Sequence, residues 1–218
     1  GDKTVAVLPF KNLGSPDDAY IADGLTEDLV DTLSMATGLR VRPRSSLSRL
    51  DARETDPAAI GRELDVQVIV EGSLRRRGDT LRISARLVSV AEGFQLWARR
   101  FDRPAGDVLV VSDEVADAVA EALTVAPAGR HREAPTDPLA LDLYLRARAE
   151  LRMLNADALR RAVKLLEQAH ERAPHDGTIL AAHARAEVRL WFFEDTGYVE
   201  GIRRALELAE RAVAASPD

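Results

Sequence analysis

Cysteine is absent from the 218 residues. That excludes a disulfide framework, a thiolate nucleophile and a cysteine zinc site, and it leaves the chain compatible with either redox compartment. Aromatic residues are scarce at 5%, so the core has to be aliphatic. No apolar run approaches the ~18 residues that a membrane-spanning helix needs, so no direct membrane insertion is expected. The chain opens Gly1-Asp2-Lys3 with neither an initiator Met nor a basic, apolar leader, and the expectation is an excised piece of a longer protein. A phosphate loop, a dinucleotide fingerprint, a nucleophile elbow and a zinc-helix motif are all missing. His131, His170, His175 and His183 show no ligand spacing. His170, His175 and Asp176 are the nearest approach to a metal set, and a solvated repeat junction accounts for them. The expectation is therefore no catalytic residue, no cofactor and no metal, with the chain itself not an enzyme.

What is present is a normal apolar content of 46% and a net charge of -6. Residues 1–126 carry 16 basic and 21 acidic side chains, and residues 127–218 carry 14 and 15. Neither half has the basic excess of a nucleic-acid binder.

The first part alternates strand and helix patterns. Thr4–Phe10 is a short β-forming run closed by Pro9, and Lys11–Asp18 is rich in turn formers and predicts a loop. From Tyr20 to Met35 the residues Ile21, Leu25, Leu29 and Leu33 recur every fourth position, tracing one helix face. Gly38 fits a helix stop, Leu39–Arg42 a short strand, and Asp56-Pro57 a capped helix start running to Leu64. Val66, Val68, Val70, Gly72 and Leu74 share one parity, as do Leu81, Ile83, Ala85 and Leu87, with Gly78-Asp79 between them. That is a hairpin, continued by a third strand over Phe94–Phe101. Glu71, Ser73, Arg75 and Arg82, Ser84, Arg86 then face away from the apolar side. Val108–Val125 returns to helical spacing.

Four motifs, Val7-Leu-Pro-Phe10, Ala22-Asp-Gly-Leu-Thr-Glu27, Val70-Glu-Gly-Ser-Leu74 and Leu96-Trp-Ala-Arg-Arg-Phe-Asp102, occur in this order. With them, residues 4–125 resemble the bacterial TolB-amino-terminal-like module. Farther on, Ala162, Leu166, Ala169 and Pro174 have the second-helix spacing of tetratricopeptide repeats, and Ala205, Ala209, Ala212 and Pro217 repeat it. Pro174 and Pro217 lie 43 apart against a usual period of about 34, so extra residues are expected around Phe192–Tyr198. The fold class is thus α+β: a mixed-sheet α/β domain over 1–126, a linker over 127–136 and an all-α repeat segment of two repeats over 137–218.

The resemblance implies a place behind serine/threonine kinase, class III adenylate cyclase or winged-helix domains of bacterial signalling proteins. The implied role is a non-catalytic regulatory module acting through a protein partner or peptide on the repeat groove, or as a homodimer. The rivals are a cell-envelope assembly or secretion scaffold and a small-ligand receptor with a pocket near Asp23 and Glu71. The expected location is the extracytoplasmic side of the inner membrane if a span precedes Gly1, and the cytoplasm otherwise. Two groups are candidates for partner binding. Asp23, Thr26 and Glu27 surround Gly24, whose place in a helix needs a reason: close packing on the sheet, a cap by Asp23, or a ligand at the helix start. Trp191, Phe192, Phe193 and Tyr198 form a dense aromatic group, read first as core of an extended helix and alternatively as an exposed anchor. The arginines of the meander are read as a solvated face.

Overall fold

The computed structural model describes residues 2–49, 56–123, 137–153, 155–194 and 199–215. They fall into two compact units, Gly1–Ala134 and Pro135–Asp218. The expected linker over 127–136 lies outside the described residues.

The first unit is a mixed sheet in the order β3-β1-β4-β5-β6, with β2 paired to β4 off this path. Strand β1 (Lys3–Val7) lies parallel to both β3 (Leu39–Val41) and β4 (Val68–Arg77). Its flanked position explains a run apolar on both faces. Strands β4, β5 (Thr80–Ser89) and β6 (Gln95–Pro104) form the antiparallel meander. Gly78 takes a φ of 57° at the first of the two turn residues, a conformation that glycine adopts without steric cost.

Helices α1 (Ala19–Ser34) and α3 (Val108–Ala122) pack together over one face of the sheet. Leu25, Leu29, Leu33, Val111, Val115 and Val119 are wholly buried there. Helix α2 (Pro57–Glu63) is capped by Asp56, whose carboxylate accepts from the amides of Ala58 and Ala59, each at 3.2 Å. It covers one corner of the sheet, where Ile60 and Leu64 meet Ala6 and Ile69.

Residues 11–18, expected as a loop, contain a strand. β2 (Lys11–Asn12) continues the line of β1 along β4, pairing Lys11 with Ser73. The break between them has a chemical cause, since Pro9 has no N–H to donate to a ladder. The Leu8 amide still reaches Val70 O at 2.8 Å and the Leu13 amide reaches Leu74 O at 2.8 Å. The Phe10 amide turns instead into the helix layer, donating to Thr26 Oγ1 at 3.0 Å. The Phe10 ring then lies over Gly72, where a Cβ would overlap both that ring and the Ser84 carbonyl oxygen. Three of the sequence motifs therefore meet at one point of the core.

The second unit is a run of four helices, α4 (Pro138–Leu151), α5 (Ala156–Arg172), α6 (Gly177–Glu194) and α7 (Val199–Ala215), each packed on the next. Asp137, Asn155 and Asp176 accept from the first-turn amides of α4, α5 and α6. Leu159, Leu166 and Leu180 are fully buried, and Ala162, Ala169 and Ala186 let the helices approach closely. The extra residues expected as a loop from Phe192 are partly helical, because α6 runs on through Glu194.

Candidate functional site

The first candidate group sits on α1. The helix begins at Ala19, so Asp23 is an interior residue and not its cap. Asp23 Oδ1 accepts from Arg44 Nη2 at 2.9 Å and Glu27 Oε1 from Arg44 Nη1 at 3.4 Å. All three side chains are partly shielded from solvent. Thr26 is wholly buried, taking the Phe10 amide and donating to Ala22 O at 2.8 Å. Its hydroxyl is fully used in joining α1 to the β1–β2 break. Arg44, which bridges the two carboxylates, was not legible as a partner in the sequence.

On the opposite face of the sheet, beyond the corner that α2 covers, Arg75, Arg82, Arg86, Ala98 and Arg100 are exposed among the described residues. Lys11, Ser73, Ser84 and Arg100 form one row across four strands. They line a concavity of about 510 Å³ with Glu71 and Arg86. Glu71 is buried and salt-bridged to Arg86, while Arg82 holds Asp102 at 2.7 Å. The hydrogen bond from Arg82 keeps the Asp102 carboxyl below its ordinary value. Glu71 alternates along β4 with Val70 and Gly72, which face the α1 layer, so Asp23 and Glu71 do not share a pocket.

The aromatic group stands at the end of α6. Core packing was the first expectation, and the structure differs: Trp191, Phe192 and Phe193 are all exposed, Phe192 at 77%. Phe192 and Phe193 make an edge-to-face pair with centroids 6.3 Å apart. Tyr198 lies outside the described residues. On α7, Ile202, Leu206 and Val213 are exposed as well, at positions that share one side of the helix. The buried stripe of α6 is filled by Ile179, Leu180, Ala182 and Ala186. The aromatic residues at its end are left to solvent.

A fourth cluster, unread in the sequence, lies between α5, α6 and α7. His183 and Glu187, four apart on α6, are both buried, with His183 Nε2 3.6 Å from Glu187 Oε1. Arg204 Nη1 on α7 donates to Glu187 Oε1 at 3.2 Å and to Glu167 Oε1 on α5 at 3.1 Å. Among the described residues neither ring nitrogen of His183 nor Glu187 Oε2 has a hydrogen-bond partner. His170 stacks edge-on to His183 at 5.8 Å between centroids. Burial, with Arg211 and His183 beside it, holds the His170 imidazole below its ordinary value. Contrary to the expectation that no histidine has ligand spacing, the i, i+4 spacing of His183 and Glu187 was visible in the sequence. The arrival of Glu167 and Arg204 was not.

Among the described residues no helix is long and apolar enough to cross a membrane. A Rhizobium meliloti (strain 1021) protein named "Putative adenylate cyclase 3" is 37% identical over 191 residues, which are 85% of this chain. The chain spans about a third of that relative's length, 32%. Among solved structures, TolB from Acinetobacter baumannii matches 57% of this chain and 29% of its own at 17% identity, with a TM-score of 0.45. Lipoprotein GNA1162 from Neisseria meningitidis matches 55% of this chain and 98% of its own at 16% identity, with a TM-score of 0.41. The family model for the second domain of HilA/YgeH-like transcriptional regulators matches residues 1–118, the whole sheet together with α1, α2 and most of α3, and the chain belongs to that family.

Proposed function

We propose that this chain is a non-catalytic regulatory segment of a longer bacterial signalling protein. In this reading a TolB-like α/β module and two tetratricopeptide-type helical hairpins set the activity of a separate output domain through protein contact. Membership in a family named for the second domain of a transcriptional regulator supports a regulatory role. So does likeness, through both units, to a relative named as an adenylate cyclase. The absence of phosphate-loop, nucleophile-elbow and zinc-helix motifs favours an output chemistry housed elsewhere in the parent.

The observation that carries the reading is the exposed apolar surface of the helical unit. Phe192 at 77% and Leu206 at 59% exposure are far from the ordinary fate of large apolar side chains in a chain so poor in aromatics. Exposed apolar side chains gathered on one unit point to an interaction site, and aromatic anchors dominate binding energy where they are buried by a partner. The contact is either a second copy of the chain or a separate protein.

Light scattering over a concentration series tests this on wild type and on Phe192→Ser/Leu206→Ser, with circular dichroism as the fold control. A concentration-dependent dimer lost in the double variant supports self-association. A strict monomer assigns the face to a separate partner. In that case the double variant introduced into the parent protein must alter its output, and an unchanged output overturns the interaction reading.

A further inference from the structure

We propose that Glu167, His183 and Glu187 form a site for a divalent first-row transition metal of the zinc class, with Arg204 as an internal cation that competes for it. One ligand atom from each of the three lies within 4.8 Å of the other two. Metal ligands of these types sit about 2.0–2.2 Å from zinc. The edge of a tetrahedron of that size is therefore about 3.4 Å. The His183 Nε2 to Glu187 Oε1 separation is 3.6 Å, too long for a hydrogen bond and close to such an edge. The two atoms are thus already spaced as ligands of one ion would be.

The second observation is the set of unpartnered atoms. His183 and Glu187 are more than nine-tenths buried, yet both imidazole nitrogens and Glu187 Oε2 lack partners among the described residues. Unmet polar atoms in a core are costly, and an ion ligated by Nε2 and a carboxylate oxygen relieves that cost. One His and two carboxylates match the three-ligand arrangement of an open site, which leaves a fourth position for water. The donor set of imidazole and carboxylate suits zinc, iron, nickel or manganese and does not resemble the all-oxygen shell of calcium.

Access and movement are available on one side. The Glu167 and Arg204 side chains are 43% and 39% exposed. Arg204 can swing outward with its charge still hydrated, and Glu167 can turn inward by a rotamer change to complete the set. In the arrangement seen here, the Arg204 guanidinium neutralises the two carboxylates. The metal replaces it, so that α5 and α6 are joined through one ion, in place of the α7 guanidinium that reaches both of them.

The test uses the full chain, free of any affinity tag and dialysed against chelator, titrated with Co²⁺ and then with Zn²⁺. The expected result is one equivalent of Co²⁺ producing the intense visible bands of four- or five-coordinate cobalt, which Zn²⁺ then abolishes. His183→Gln must remove the bands. Arg204→Gln must tighten binding by roughly tenfold, because the competing cation is gone. Should His183→Gln fail to fold, Glu167→Gln, at a half-exposed position, serves in its place and must also lose the bands. A wild-type spectrum that stays that of aqueous cobalt overturns the proposal, as does binding that persists unchanged in the ligand variants.

Discussion

Replacing Gly72 by alanine tests the packing on which the first unit turns. An added Cβ at this position overlaps the Phe10 ring and the Ser84 carbonyl oxygen. The ring cannot easily retreat, because Phe10 is buried and its own amide is tied to Thr26 Oγ1 at 3.0 Å. The Ser84 oxygen belongs to the main chain of β5, held in register by the ladder that pairs Gly72 with Ala85. Overpacking of this kind costs about 1–3 kcal/mol, and the upper half of that range applies because one obstacle is backbone. Against it stands a gain of about 0.4–1 kcal/mol from the lower entropy of the unfolded alanine chain. The net is a loss of about 1.5–2 kcal/mol. With a urea slope of roughly 1–3 kcal/mol per molar, the unfolding midpoint of the first unit falls by about 1 M. Trp97 in β6 reports on this unit once Trp191 is changed to Phe, since these are the two tryptophans of the chain. Phe10→Leu combined with Gly72→Ala must cost less than the sum of the two single changes, because the smaller side chain makes room. A midpoint equal to or above that of the wild type refutes the close approach of Phe10 to β4.

Two further outcomes follow from the ion pairs. Asp137 caps α4 and meets Arg172 Nε at 2.9 Å. Burial pulls its carboxyl upward, but the amides of Ala140 and Leu139 and the Arg172 guanidinium outweigh this and hold it below its ordinary value. A lowered folded pKa gives stability that is fully present above the unfolded value near 4 and is lost as pH falls through the folded one. The melting temperature of the wild type therefore exceeds that of Asp137→Asn at neutral pH, and the gap closes on acidification to about pH 2. A gap that persists or widens there contradicts the assignment. Arg44→Ala leaves Asp23 and Glu27 facing each other without their shared cation. It is expected to destabilise the first unit by about 1 kcal/mol, a loss that added salt reduces; a loss insensitive to salt points to packing of the arginine stem.

Much of the secondary structure was legible because its causes are local. The four-residue recurrence of Ile21, Leu25, Leu29 and Leu33 reads directly as the buried face of α1. The shared parity of Val68, Val70, Leu74 with Ile83 and Leu87 reads as the register of the meander, and Gly78-Asp79 as its turn. Asp56-Pro57 announces its helix by capping chemistry confined to a few residues.

What escaped the sequence depends on residues that meet from far apart. Strand β2 is two residues long, too short to carry a period, and exists because β4 continues past the Pro9 break and offers it hydrogen bonds. Thr26 is a polar residue in a helix with an obvious apolar face, and only the diverted Phe10 amide explains its complete burial. Trp191, Phe192 and Phe193 look like core by composition, yet they are exposed because the buried stripe of α6 is already filled by smaller residues. The His183–Glu187 spacing is written along one helix, but its chemistry arises when α5 and α7 deliver Glu167 and Arg204 from 37 residues apart. Periodicity and caps are decided within a few residues of chain. Hydrogen-bond satisfaction, exposure and charge clusters are decided by the tertiary contacts that bring distant residues together.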